Sequence, residues 1–228
     1  MFTITLHSPK GGVGRTTACM ALARAFQQRG SRVHVMDAGD HIHSTGSYLV
    51  EWGQCIRQGK TVGKYPIEVT VIPDADQLQA AFVKAKKQAL LSPDSVVLVD
   101  TIQRLDDRAR IAIDEADLII APFNSARNAH VIAKRLERDI CASVLIRGLA
   151  SGFVSQGPHD REVAWDMMRV FPPFENKIHY DGSLMTYLCE GKIPAGSPDI
   201  ERCWEIVHAL VDEIMEDGGR LKGHLVPL

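Results

Sequence analysis

The chain has 228 residues, 45% hydrophobic and 24% charged, a balance that suits one folded α/β domain and excludes a disordered polymer. Lys and Arg number 26 against 28 Asp and Glu, so the formal net charge is −2, and any pull on nucleic acid or membrane must come from a local patch. Five cysteines, odd in number and without a CxxC pair, exclude a disulfide framework and read as reduced cytosolic thiols.

Phe2 to His7 reads as a short strand and Ser8 to Gly14 as a glycine-rich turn. A helix is expected from Arg15, with Ala18, Ala21, Leu22 and Ala25 at helical spacing and Gly30 as its stop. Arg32 to Met36 is the second strand, which completes a βαβ unit with its right-handed crossover. Ile67–Ile72 reads as a strand, Asp76–Leu90 as a helix, and Ser95–Val99 as a buried parallel strand. Then come a helix at Arg108–Ala116, a strand at Leu118–Ala121, a helix at Ala126–Arg138 and a strand at Ser143–Ile146. Arg161–Val170 is expected to be helical and Lys177–Tyr180 to be a last short strand. Ile200, Trp204, Val207, Val211 and Ile214 mark a C-terminal amphipathic helix.

This alternation predicts an α/β fold, a doubly wound, mostly parallel sheet flanked by helices, formed by residues 1–228 as a single domain. Gly218 and Gly219 are expected to begin a flexible tail over 218–228. There is no signal-peptide pattern and no apolar run of the roughly 18 residues a membrane span needs, so the expected location is the cytoplasm, with nucleoid association if DNA is bound. Arg220–Leu228 holds two cations and three leucines, but Gly223 and Pro227 oppose an amphipathic membrane helix there.

Chemistry is concentrated in Ser8-Pro9-Lys10-Gly11-Gly12-Val13-Gly14-Arg15-Thr16-Thr17, which follows a strand and opens a helix. Glycines let the backbone curl so that N–H groups converge on a phosphate, and the helix N-terminus adds positive charge. The hydroxyl of Thr16 suits Mg²⁺. The bland reading, a βα turn that binds nothing, fits ten such residues in this context poorly. The loop predicts binding of a nucleoside triphosphate, ATP with Mg²⁺. In the ordinary P-loop pattern Pro9 replaces the first glycine and Arg15 the lysine.

The run resembles instead the deviant Walker A loop, KGGxGKTT, of the ParA/MinD family of ATPases, with Lys10 in the place of that family's signature lysine. The resemblance spans nearly the whole chain. Val96-Val97-Leu98-Val99-Asp100 is similar to the Walker B strand, though Ile102 and Gln103 stand where relatives often have prolines. Asp37 matches the first residue of the family's Asp-x-Asp; Gly39 occupies the second, and Asp40 lies one beyond. Ala116 to Pro122, Ser183-Leu184-Met185 and Gly191-Lys192-Ile193-Pro194 resemble later family segments. The short N-terminus and Trp52 look similar to small plasmid-partition members and to the ParA-like accessory protein of T-DNA transfer plasmids.

The resemblance implies an ATP-dependent homodimer and a weak ATPase in plasmid or chromosome partition or DNA transfer. In it Lys10 reaches the partner protomer's phosphates, Arg15 contacts the β- and γ-phosphates, and Asp40 stands in for the missing carboxylate that orients water. It also implies a nucleotide site of Lys10, Gly11, Gly12, Val13, Gly14, Arg15, Thr16, Thr17, Asp37 and Asp100. Within that site Thr16 ligates Mg²⁺, and Asp37 and Asp100 hold its waters. Arg15 is bulkier than lysine and Gly39 lacks a carboxylate, so hydrolysis is expected to be slow. The alternative is a nucleotide-gated positioning or scaffold protein that barely hydrolyses ATP.

Expected partners are non-specific DNA and a cognate partition or adaptor protein. The DNA candidates are Lys84, Lys86 and Lys87; Arg104, Arg108 and Arg110; and Lys134, Arg135 and Arg138, each set read equally as the solvated face of a helix. A zinc site at His41 and His43 lacks a nearby third ligand. Trp52, Trp165 and Trp204 read as core or interface anchors, and the base-facing residue after Leu145 is left open between Ile146 and Arg147.

Overall fold

The computed structural model describes residues 1–39, 65–90, 92, 94–140, 144–152, 171–178, 188 and 198–222. Six strands, β1 (Phe2–Leu6), β2 (Arg32–Ala38), β3 (Glu68–Val71), β4 (Ser95–Thr101), β5 (Leu118–Phe123) and β6 (Leu145–Ala150), form one sheet in the order β3-β2-β4-β1-β5-β6. Every neighbouring pair is parallel, so the connections cross over and helices cover both faces. The helices are α1 (Arg15–Gln28), α2 (Ala75–Ala89), α3 (Asp107–Asp114), α4 (Ala126–Asp139) and α5 (Pro198–Lys222).

Strand periodicity of two divides the core. Ile4, Leu6, Val33, Val35, Val96, Leu98, Leu118 and Ile120 pack with α1 and α5 on one face. Their neighbours point the other way: Met36, Val97 and Val99 meet Leu78 and Phe82 of α2, and Ile119, Ala121 and Phe123 meet Ala129, Ile132 and Leu136 of α4. Helix α1 is buried continuously from Ala18 to Gln27, beyond what its apolar spacing required, because α5 covers its outer side. Trp204 is a core residue of that contact, and its Nε1–H donates to Gln28 Oε1 over 3.0 Å. Arg29 adds ion-paired contacts to Asp212 across the same seam. Trp52, Trp165, the expected helix at Arg161–Val170 and the histidine pair at positions 41 and 43 lie outside the described residues.

Helix starts follow their caps. Asp74, Asp106 and Ser125 accept from the N–H groups of Gln77, Ala109 and Asn128, which sets the first turns of α2, α3 and α4. Gly30, at φ 86°, ends α1 as expected, and Ser31 N–H returns to Phe26 O over 3.0 Å.

Two expectations are corrected. The last sheet strand is Leu145–Ala150 rather than Ser143–Ile146. Arg147 and Gly148 do not break it, because the Arg147 guanidinium is neutralised by Asp217 at 2.6 Å and lies 4.4 Å from the Phe174 ring centroid. Of the expected strand at Lys177–Tyr180, Ile178 makes a parallel bridge to Ser151, as Pro173 does to Gly148, and residues 179 and 180 lie outside the described residues. Finally, α5 runs on through Gly218 and Gly219 to Lys222 where a tail was expected.

Gly218 continues the helix because it packs on the core: an added Cβ would stand 3.0 to 3.4 Å from three ring carbons of Phe2. Gly218→Ala sets a propensity gain of about 1 kcal/mol against an overpacking cost of about 1–3 kcal/mol. A net loss of about 1 kcal/mol in urea unfolding is therefore expected, and a gain would show that the Phe2 ring yields freely.

Candidate functional site

The C-terminal ends of β1, β2, β4 and β5 meet around the turn that follows β1. His7 closes β1 by donating its N–H to Ile120 O over 3.0 Å. Beyond it the chain turns through Gly12 (φ 68°) and Gly14 (φ 82°), left-handed conformations that favour glycine. Helix α1 then begins without a side-chain cap, unlike α2, α3 and α4, so its positive end faces the turn bare of a competing carboxylate.

The turn is held from outside through its carbonyls. Asn124 Nδ2 donates to Gly12 O at 3.0 Å, Arg135 Nη1 to Pro9 O at 3.1 Å, and Arg15 Nη1 to Ser8 O at 2.5 Å. Asn124 is itself fixed by Asn128 Nδ2 at 2.5 Å. Each carbonyl so held also fixes the plane of its peptide unit. Lys10, Gly11 and Gly12 remain exposed, and the Lys10 ammonium makes no ion pair among the described residues.

Two buried carboxylates stand behind the turn. Asp37 and Asp100 are register partners across β2 and β4, and Leu6 of β1 pairs with Asp100 on its other side. Both are essentially inaccessible. Asp37 Oδ1 accepts the Gly39 N–H at 2.9 Å. Asp100 Oδ2 accepts the Thr16 hydroxyl at 2.7 Å, whereas Asp100 Oδ1 has no hydrogen-bond donor and only Arg15 Nε at 3.9 Å. Burial pushes the Asp100 carboxyl up to about 6; Arg15 and the Thr16 hydrogen bond oppose this, and Asp37 adds to it. Arg15 is drawn below its ordinary value by burial and back up by Asp100.

These residues fit a hard cation. Thr16 gives its proton to Asp100, which leaves the hydroxyl lone pairs for a metal, and Asp100 Oδ1 is an anionic oxygen still seeking a donor such as a metal-bound water. The glycine turn and the start of α1 supply the donors a phosphate group requires.

His7 is locked beside the turn. Thr101 spends its hydroxyl proton on Leu6 O at 2.9 Å, so His7 Nδ1, at 2.9 Å from that hydroxyl, must be the donor. Burial, and then Arg15, depress the imidazole to about 4, which leaves it neutral at physiological pH.

The structure thus brings Lys10 through Thr17, Asp37 and Asp100 together at the C-terminal ends of the inner strands, while Asp40 lies outside the described residues. Gly39 is closed in on both sides: its N–H goes to Asp37 and its carbonyl accepts Arg108 Nη1 at 3.0 Å. Of the two base-facing candidates, Ile146 is core and Arg147 is spent on Asp217 and the Pro172 carbonyl. Sequence reasoning missed Asn124, Asn128 and Gln103. It also counted Arg108, Arg135 and Lys86 only among basic clusters, whereas Arg108 pairs with Asp106 at 2.9 Å and Lys86 with Glu115 at 2.5 Å. Arg104, Arg110, Arg127 and Lys134 are exposed. No helix among the described residues is long and apolar enough to cross a membrane, and none of their His, Cys, Asp and Glu form a metal-binding group of three or more.

A family model described as the CobQ/CobB/MinD/ParA nucleotide binding domain matches residues 4–225. Among solved structures the chain is similar to the septum site-determining protein MinD of Pyrococcus horikoshii OT3 complexed with Mg-ADP, at 20% identity and TM-score 0.65, covering 94% of this chain and 97% of that one. It is also similar to the MinC:MinD cell division complex of Aquifex aeolicus, at 16% identity and TM-score 0.63 over 100% and 98% of the two chains. A plasmid partition protein of Borrelia burgdorferi matches at 16% identity and TM-score 0.58, over 93% and 98%. At such identities the likeness is one of fold. No functionally curated protein sequence matches the chain.

Proposed function

This chain belongs to the CobQ/CobB/MinD/ParA nucleotide-binding family, and on that premise we propose that it is an ATP-dependent dimerising switch with slow hydrolysis, acting in plasmid or chromosome partition or DNA transfer. The observation that carries the reading is the 2.7 Å hydrogen bond from Thr16 to Asp100 at the mouth of an uncapped helix behind a glycine turn. The loop amides and the start of α1 would cradle the phosphates, Thr16 would hold the cation, and Asp37 and Asp100 would orient its waters. Held there, Mg²⁺ would supply neutralisation of the phosphate charge. Lys10, exposed at the rim, reaches the nucleotide of a second copy and stabilises charge on the transferring group.

DNA is engaged without sequence preference by the exposed cations of the ATP-bound dimer, among them Arg104, Arg110, Arg127 and Lys134. A cognate adaptor protein binds the chain and stimulates its turnover; binding of a second protein has its parallel in the MinC:MinD complex of Aquifex aeolicus.

A second reading, a positioning scaffold that barely hydrolyses ATP, is favoured by the Arg15 contact to Ser8 O and by Gly39 in place of a carboxylate. Arg15→Lys separates the two. Lysine is a compact point charge without the fork that holds Ser8 O. Sedimentation and phosphate release, with ATP, ADP or no nucleotide and with or without DNA, are expected to show an ATP-dependent dimer that retains DNA and about tenfold faster turnover in the variant. Dimerisation without DNA retention, and without faster turnover, selects the scaffold. A monomer that binds no ATP in any state refutes both.

A further inference from the structure

Gly39, the first residue after β2, offers no side chain to orient a nucleophile, and both of its polar groups are engaged, by Asp37 and Arg108. Across the site, three residues past Asp100, the exposed side chain of Gln103 lies over the rim of the phosphate turn. An added Cβ at Gly11 would stand 2.6 Å from Gln103 Oε1 and 3.7 Å from its Cδ, so the carboxamide occupies the room that a missing side chain leaves beside Lys10.

We propose that Gln103 positions the attacking water for ATP hydrolysis. This rests on the ATPase reading above and adds a residue to it.

Three features carry the assignment. The nucleophile must approach the terminal phosphoryl group from outside the cradle, and Lys10, Gly11 and Gly12 form its exposed rim. A carboxamide is the right chemistry there: Oε1 accepts a hydrogen bond from water while the Nε2 hydrogens donate to a phosphate oxygen, so one group registers both reactants. Glutamine has this duty in other P-loop enzymes, as a neutral orienting group rather than a base. Third, Gln103 is tied to the cation site by chain, since Asp100, Thr101 and Ile102 are buried and fix where residue 103 begins. The step is simple hydrolysis: water oxygen bonds to the γ-phosphorus, the bond to the β–γ bridging oxygen breaks, ADP leaves with that electron pair, and the water protons pass to phosphate and solvent.

The test uses the full chain with Mg-ATP. Single-turnover hydrolysis is measured beside the affinity for fluorescent AMPPNP and the ATP-dependent sedimentation of wild type, Gln103→Ala and Gln103→Glu. Gln103→Ala is expected to lower the hydrolysis rate roughly 10- to 100-fold while AMPPNP affinity and sedimentation stay within about twofold. Gln103→Glu keeps the acceptor but not the donor and is expected to recover part of the rate. Gln103→Ala at the wild-type rate overturns the proposal and leaves the ATPase reading standing. Loss of AMPPNP affinity in step with hydrolysis also overturns it, since Gln103 then only shapes the loop. A wild type that binds AMPPNP without hydrolysing ATP overturns it by removing its reaction, and a wild type that binds no nucleotide removes the ATPase reading too.

Discussion

Asp100→Asn is expected to yield a protein that resists unfolding better than the wild type at pH 7.5 and has lost most of its Mg²⁺-dependent turnover. The two effects share one cause. Asp100 is buried against Asp37, and its carboxyl is raised from 3.8 to about 6, chiefly by burial. A group raised in this way binds its proton more tightly in the folded chain than in the unfolded one. Its burden is therefore absent below pH 4, grows as pH rises, and is complete above about pH 6, where two units amount to about 3 kcal/mol. Asparagine keeps an oxygen for the Thr16 hydroxyl and sheds the charge. That shift is already net of the help from Arg15 and Thr16, so the full gain of about 3 kcal/mol is expected, or about 6–12 °C in a melt without metal or nucleotide.

The same substitution removes the anionic oxygen that has no donor of its own, and losing such an outer partner of a metal costs about 10- to 100-fold in affinity or activity. An unchanged or lower melting temperature at pH 7.5, or turnover kept at ordinary Mg²⁺ concentration, refutes this account.

His7 makes the pH dependence diagnostic. Its depressed value means that the unfolded chain takes up a proton near pH 6.5 while the folded chain resists until about 4, so His7 loses stability as pH falls through that window. Asp100 gains stability over nearly the same window, and in the wild type the two slopes oppose each other. With Asp100 replaced, the His7 slope stands alone, and the variant's advantage shrinks steadily from pH 6.5 towards pH 4.

What was legible in the sequence follows from where the determinants are local. The buried strands β4 and β5 hold runs of apolar residues, β1 alternates apolar residues with threonines, and the glycine turn needs φ above zero at Gly12 and Gly14; these signals sit within a few residues. Asp37 and Asp100 were placed by motif, and β2 and β4 pair them in register. Non-local contacts were not legible. Arg147 reads as a strand end until α5 brings Asp217 to it, 70 residues on. Gly218 reads as a breaker until Phe2, at the other end of the chain, is seen to fill the space its side chain would take. Arg135, Asn124 and Gln103 show nothing of the loop in their own neighbourhoods, because each reaches it across roughly 90 to 130 residues of chain through the sheet's crossover order.

Lys10→Ala is expected to be the most damaging single change to turnover while leaving the fold intact. Lys10 is exposed, bears no ion pair among the described residues, and follows Pro9, whose carbonyl is anchored by Arg135. Truncating such a side chain removes no core contact, so the melting temperature should not move. If its ammonium completes the site of a second protomer, its loss resembles the loss of a cation supplied in trans, and turnover should fall about 1,000-fold together with the ATP-dependent dimer. The contrast with Thr16→Ala decides between trans and cis action. Thr16, hydrogen-bonded to Asp100, serves the nucleotide of its own chain on the function proposed above. Mixing the two inactive variants pairs an intact nucleotide site in the Lys10→Ala chain with an intact Lys10 from the Thr16→Ala chain, so turnover absent from either alone should reappear. If the mixture stays inactive while Lys10→Ala still forms an ATP-dependent dimer with itself, Lys10 acts on its own nucleotide and the face-to-face arrangement is wrong.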